Sequence, residues 1–120
     1  MSMSIPVQHY QVHYHSSRSA QRLEESIRID LYHDQKKYGV IYFYPEDTER
    51  RLRDRVFAQS EHPVIYLEYY DRHYERVIDL LRNETVGISI NVPPGAIGSF
   101  TTGDGEITTG KEPVGEGEAS

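Results

Sequence analysis

Cysteine and tryptophan are both missing from this chain of 120 residues. Without cysteine there can be no disulfide, no thiolate nucleophile and no zinc or iron-sulfur site built on thiolates. Long apolar runs are missing too, since a membrane span needs about eighteen consecutive apolar residues and none occurs. The opening residues MSMSIPV carry neither a basic region nor an apolar stretch. The sequence therefore predicts a cytoplasmic protein with no signal peptide and no membrane partner.

A surplus of basic residues is also absent, because the formal net charge is -6. Residues 103–120 hold five acidic residues against Lys111, so most of the net negative charge lies in this last part of the chain. Binding to a phosphate backbone relies on Lys and Arg side chains that displace counterions. The composition thus argues against nucleic acid as the main partner.

Alternation of apolar and polar residues dominates the rest of the sequence and predicts β-strands. Strands are expected at residues 9–15, 26–33, 38–44, 62–69 and 86–92. The polar segment HDQKK separates the second strand from the third and predicts an antiparallel hairpin. A last strand is expected either at 97–102 or at 106–109, and the pattern does not decide between them.

One segment changes to helical spacing. Apolar residues recur every three or four positions within residues 71–83, with Asp71 as the expected N-cap and Asn83 expected in the left-handed conformation at the C-terminus. Residues 46–58 have an acidic start and a basic continuation, which predicts a short exposed helix.

These elements predict an α+β domain over residues 1–109: a mainly antiparallel sheet of five or six strands with one principal helix, 71–83, packed on one face in two layers. Residues 110–120 are acidic and glycine-rich and are expected to form a disordered tail. The expected core combines the apolar face of the strands with the helix stripe: Ile27, Ile29, Leu31, Ile41, Phe43, Ile65, Leu67, Tyr74, Val77, Ile78, Leu81, Ile88 and Ile90.

The opposite face of the predicted sheet is rich in tyrosine, with Tyr32, Tyr42, Tyr44 and Tyr66 on it. Tyrosine offers a large contact area with a polar tip, which suits a surface that is wet in one state and buried in another. The leading hypothesis is a small non-enzymatic interaction or regulatory module, without cofactor, that forms a homodimer or binds a protein partner through this face or through a sheet edge. High strand propensity of tyrosine is the structural alternative.

A second hypothesis is binding of single-stranded nucleic acid, since aromatic sheet faces can stack bases. The order of four strands followed by a helix is similar, in topology alone, to single-stranded nucleic-acid binders of the PUR and whirly type. Arginines such as Arg28 and Arg50 would then contact phosphates. Asp30 and Glu68, which lie among the tyrosines, argue against this use of the face.

The stretch HYQVHYH, residues 9–15, raises a third hypothesis. In a strand His13 and His15 share one face and could bind one metal ion, which would make the protein a metal-dependent enzyme. His9 lies too far along an extended strand to join them, so the third ligand would have to come from elsewhere in the chain. No serine nucleophile motif and no phosphate-binding loop is present, and no catalytic residue is predicted.

Overall fold

The computed structural model describes residues 2–15, 26–57, 63–92 and 101–109. Eight strands lie in these ranges: β1 (Ser2–Pro6), β2 (His9–Tyr14), β3 (Ile27–His33), β4 (Lys36–Tyr44), β5 (Asp54–Phe57), β6 (Val64–Tyr70), β7 (Gly87–Asn91) and β8 (Thr101–Thr108). A 3-10 turn, Asp71–His73, leads into the helix α1, Tyr74–Asn83. No helix among the described residues is long and apolar enough to cross a membrane.

The eight strands form one mixed sheet in the order β1-β7-β8-β5-β6-β4-β3-β2. All neighbouring strands are antiparallel except β4 and β6, which are parallel. The prediction of a mainly antiparallel sheet of five or six strands in a two-layer α+β arrangement is therefore wrong, because the eight strands are mixed and form a curled half-barrel. Between β4 and β6 the chain returns to the end of the sheet at which β4 begins. β6 therefore starts at that end and runs in the same direction as β4.

The sheet curls into a half-barrel because its two edge strands follow each other directly in sequence. A flat sheet of eight strands would hold β1 and β2 about 34 Å apart, whereas the two residues between them span at most about 11 Å. Val7 N–H donates to Val86 C=O at 2.9 Å, and Gln8 N–H donates to Tyr32 C=O at 2.9 Å. The two edges of the sheet therefore meet at this corner.

The inside of the curl is the hydrophobic core. Ile88 of β7 fills the space beside Gly39 of β4, although these strands are four places apart in the sheet. The predicted core residues are confirmed as members of this cluster, with Ile27 and Tyr74 only partly buried at its margin. From α1 the buried side chains are Val77, Ile78 and Leu81.

The hairpin between β3 and β4 is confirmed. Its turn consists of Asp34 and Gln35, whose φ angles are 50° and 65°. Positive φ at both positions is the geometry that matches the twist of two adjoining strands. The turn is held further by Asp34 N–H, which donates to Gln8 Oε1 at 2.7 Å.

Three local predictions need correction. Residues 46–58 are not helical, since they contain β5, and Ala58 lies outside the described residues. Asp71 is not the helix N-cap, because His73 holds that position and has no side-chain cap. Asn83 is the last helical residue rather than a left-handed terminus, and its Nδ2 donates to Asp79 Oδ1.

The last strand, β8, overlaps both predicted alternatives. Its residues 101–103 pair with β5, and residues 104–108 pair with β7. The start of the first alternative, 97–100, and the predicted tail, 110–120, lie outside the described residues.

Gly103 lies where β8 changes from one neighbour to the other, and there is no room for a side chain. A Cβ at this position would be 2.5 Å from Asn91 O and 2.7 Å from Val92 Cγ1. We expect Gly103→Ala to lower the free energy of unfolding by about 1 to 3 kcal/mol, since backbone has to move. Gly87→Ala is the matched control, because its nearest neighbour would be 3.4 Å away.

Chemical denaturation of both variants tests this account of β8. The control should change stability by less than about 1 kcal/mol. Equal losses in the two variants would contradict the close approach of β8 to β7.

Candidate interaction surface

The side of the sheet opposite the core carries a continuous polar surface on strands β2, β3, β4, β6 and β5. Alternation along each strand puts these residues on one side, and the strand registers place them next to one another. We call this surface the polar face; its residues are His9, Gln11, His13, Arg28, Asp30, Tyr32, Val40, Tyr42, Tyr44, Arg55, Tyr66 and Glu68. Two acidic residues lie at its base.

Glu68 is the first of these buried acids, and its side chain is 0% exposed. Its Oε2 accepts from Arg50 Nη2 at 2.8 Å, from Arg55 Nη2 at 3.3 Å and from the Tyr44 hydroxyl at 3.4 Å. Its Oε1 accepts from the backbone N–H of Arg53 at 2.9 Å. One carboxylate thus fixes three side chains and one loop residue.

Asp30 is the second buried acid, with 3% of its side chain exposed. His13 Nε2 lies 3.0 Å from Asp30 Oδ2, and Arg28 Nε lies 3.2 Å from Oδ1. Lys37 Nζ is 3.6 Å from Oδ2. Asp30 therefore has cationic or imidazole groups from three strands around it, and its hydrogen bond is to His13, whereas Arg28 and Lys37 are placed as ion-pair partners.

Asp54 supports Glu68 from the core side of the sheet, at the point where β5 begins. Its Oδ1 accepts from Glu68 N–H at 3.0 Å, and its Oδ2 accepts from Gly105 N–H at 3.1 Å. The carboxylate thereby joins β6 to β8 at the start of β5. Burial raises the pKa of Asp54 above its ordinary value, and the nearby charge of Glu68 adds to this, although the two backbone hydrogen bonds oppose it.

Aromatic rings pack against these anchored groups. The rings of Tyr42 and Tyr66 are nearly parallel, with an interplanar angle of 5° and centroids 6.2 Å apart. The Arg55 guanidinium lies 5.6 Å from the centre of the Tyr66 ring, and the Arg50 guanidinium lies 5.2 Å from that of Tyr44. Such cation-ring contacts are favourable and fix the orientation of both partners.

The four predicted interface tyrosines all lie on the polar face. Tyr32, Tyr42 and Tyr66 are half-buried, whereas Tyr44 is only 4% exposed and acts as a support for Glu68. Whether these tyrosines contact a partner stays a prediction.

Sequence reasoning missed the organising role of Asp30 and Glu68, which it treated only as interruptions of an aromatic face. A usable signal was present, since acidic residues are depleted in strands. Two acids in the middle of strands, with tyrosine and arginine as neighbours, indicate partnered charges.

The metal hypothesis for His13 and His15 finds no third ligand in the described part of the chain. His13 lies against Asp30, as given above, and His15 follows the end of β2. Within residues 2–15, 26–57, 63–92 and 101–109, no group of three histidine or acidic side chains is placed to hold a metal ion.

Comparison with known proteins adds no relative. No protein-family model matches the chain, and no curated protein or solved structure is significantly similar to it.

The burial of Glu68 should make it far more important for stability than an exposed acid with the same contact distance. Glu68→Gln leaves Arg50 and Arg55 without a carboxylate, so we expect the free energy of unfolding to fall by about 3 kcal/mol. The control is Glu46→Gln, because Glu46 also lies 2.8 Å from an arginine, Arg72, but both side chains are more than half exposed. That variant should lose less than about 1 kcal/mol.

Urea denaturation at neutral pH measures both losses. Similar small losses in the two variants would show that Glu68 is not a buried anchor.

The raised pKa of Asp54 predicts a pH-dependent contribution to stability. The folded state binds the proton more tightly than the unfolded state, so the contribution of Asp54 is largest below its ordinary value of 3.8 and decreases as the pH rises through the raised pKa. Asp54→Asn removes this titration. The free energy of unfolding of wild type minus that of Asp54→Asn should therefore be more positive at acid than at neutral pH, as measured by denaturation across that range. A difference that grows with pH would contradict the direction of the shift.

Proposed function

We propose that this protein is a non-enzymatic association module that binds acidic protein segments through its polar face. The observation that carries the proposal is the full burial of Glu68 beneath Arg50, Arg55 and Tyr44. Replacement of a buried ion pair by packed apolar side chains is often neutral or even stabilising. A charged arrangement of this kind is better explained by the side chains that it positions than by stability.

The positioned side chains are of the types that dominate protein interfaces. Tyrosine and arginine are enriched among the residues that contribute most to binding. Tyr66 is held between the Arg55 guanidinium and the Tyr42 ring, so little side-chain entropy remains to be lost on binding. The polar face is thus prepared for contact before a partner arrives.

The distribution of charge defines the chemistry of the partner. Four cationic side chains stand on or beside the polar face: Arg28, Lys37, Arg50 and Arg55. The two carboxylates among them, Asp30 and Glu68, are buried at its base. A partner therefore meets cationic groups and phenols first, and complementary acidic residues would be favoured.

Lys37→Glu tests the proposal by reversing one exposed charge of this group. The neighbouring Lys36→Glu is the matched control, since alternation along β4 turns Lys36 to the other side. The probe is a random peptide library displayed on phage and selected against the wild-type chain. We expect selected peptides to be rich in Asp and Glu and to bind Lys37→Glu at least about tenfold more weakly, while Lys36→Glu binds as wild type does.

Two outcomes would overturn the proposal. One is failure of the charge test: the selection does not enrich acidic peptides, or the selected peptides bind Lys37→Glu and Lys36→Glu equally. The other is steeply salt-dependent binding of unstructured oligonucleotides, lost in Tyr42→Ala and Tyr66→Ala, which would indicate that the aromatic rings stack bases instead. Thermal unfolding of each variant verifies that it is folded.

A further inference from the structure

Strand β2 is the last strand of the sheet, and no other strand in the described part of the chain pairs with its outer side. His15 N–H donates to Ser26 C=O at 3.1 Å, and the antiparallel register continues from this pair along β3. In an antiparallel ladder, alternate residues direct both backbone groups to the same neighbour. His9, Gln11 and His13 therefore bond to β3, while N–H and C=O of Tyr10, Val12 and Tyr14 point away from the sheet.

The opposite edge strand, β1, is protected against pairing with another strand, and β2 is not. Val7 N–H bonds to Val86, so the residues of β1 that point outward are Ser2, Ser4 and Pro6. Proline has no N–H to offer, and proline or charged residues are the usual protection of an exposed edge. The β2 sequence HYQVHY contains no proline, lysine, arginine or acid.

The sequence of the open edge is nearly symmetrical about Val12. In HYQVHYH, tyrosines stand two positions before and two positions after Val12, and histidines stand three positions before and after it. Only Gln11 and His13 break the symmetry. A two-fold axis through the Val12 pair would place like residues opposite each other, as an antiparallel contact between identical strands requires.

We propose that β2 pairs antiparallel with β2 of a second copy of this chain, centred on Val12. Val12 then faces Val12 of the second copy, and Tyr10 faces the partner's Tyr14. These pairs use the residues whose backbone groups point outward, so that the contact gains about six hydrogen bonds. A register centred one residue away would use fewer of them.

Side-chain exposure agrees with this register. Tyr14 is 65% exposed and is the one exposed large hydrophobic residue in the described part of the chain. Its hydroxyl donates to the Tyr74 hydroxyl at 2.6 Å, which holds the ring beside the edge. In the dimer Tyr14 packs against the partner's Tyr10, and cross-strand aromatic pairs are among the favourable contacts of a sheet.

This inference does not depend on the proposed function, because it uses the edge of the sheet and not the polar face. Its test is Val12→Pro, which deletes an N–H that β3 does not use. Ser4→Pro is the matched control, because it deletes an outward N–H of the protected edge. Sedimentation velocity of the full chain should show a concentration-dependent dimer for wild type and Ser4→Pro, with dimerisation weakened by about tenfold or more in Val12→Pro.

Hydrogen exchange on the wild-type chain gives a readout that does not depend on how the variants fold. The amide protons of Tyr10, Val12 and Tyr14 should exchange more slowly at concentrations where the dimer forms, whereas that of Ser4 should not change. A wild-type chain that stays monomeric at its solubility limit would overturn the proposal. So would a dimer in which Val12→Pro associates like wild type, or in which these three amides remain unprotected.

Discussion

The connection of two residues, Val7 and Gln8, between the first two strands is the constraint on which the architecture depends. These strands lie at opposite edges of the eight-stranded sheet. A connection of two residues can join them only if the sheet curls back on itself. Curling brings Ile88 of β7 against the backbone of β4 at Gly39. The sheet thus encloses much of its own core, and the short helix α1 adds three buried side chains to it.

The same carboxylates that complete the sheet also organise the polar face. Asp54 accepts from the backbone of Glu68, and Glu68 accepts from the backbone of Arg53, one residue before Asp54. Each acid therefore fixes the backbone that positions the other. Because the side chain of Glu68 also holds Arg50 and Arg55, any change in the strand junction would move the surface groups. Stability and surface geometry are coupled through one set of contacts.

Local sequence patterns predicted the strands whose burial follows from their own alternation. They failed for features that depend on residues far away in the sequence. Strands β3, β4, β6 and β7 were identified because one side of each is buried, so that apolar residues alternate. β5 was missed because Val56 is its one buried residue and the residues before it are rich in arginine. The parallel pairing of β4 and β6 could not be inferred, since parallel and antiparallel strands can show the same alternation.

The same distinction holds for the polar face: its tyrosine positions could be predicted from the sequence, and the burial of its acids could not. Alternation placed Tyr32, Tyr42 and Tyr66 on one face, because side chains two residues apart in a strand share a face. Asp30 and Glu68 are buried among neighbours that are distant in sequence, such as His13 on β2 and Arg50 in a loop, and no local pattern contains these neighbours. The histidines of HYQVHYH led to the hypothesis of a metal site. The symmetry of this segment indicates pairing between two copies only once β2 is known to be an edge strand.

The two surfaces proposed for contact are joined by the strand that they share. His9, Gln11 and His13 form one margin of the polar face, and Tyr10, Val12 and Tyr14 of the same strand direct their backbone outward. Pairing of two β2 strands would therefore bring two polar faces side by side in one assembly. A partner that spans both would gain affinity from effective concentration, with no new contact. A small contact surface can then suffice for stable binding, provided that the partner presents its acidic segments at the matching separation.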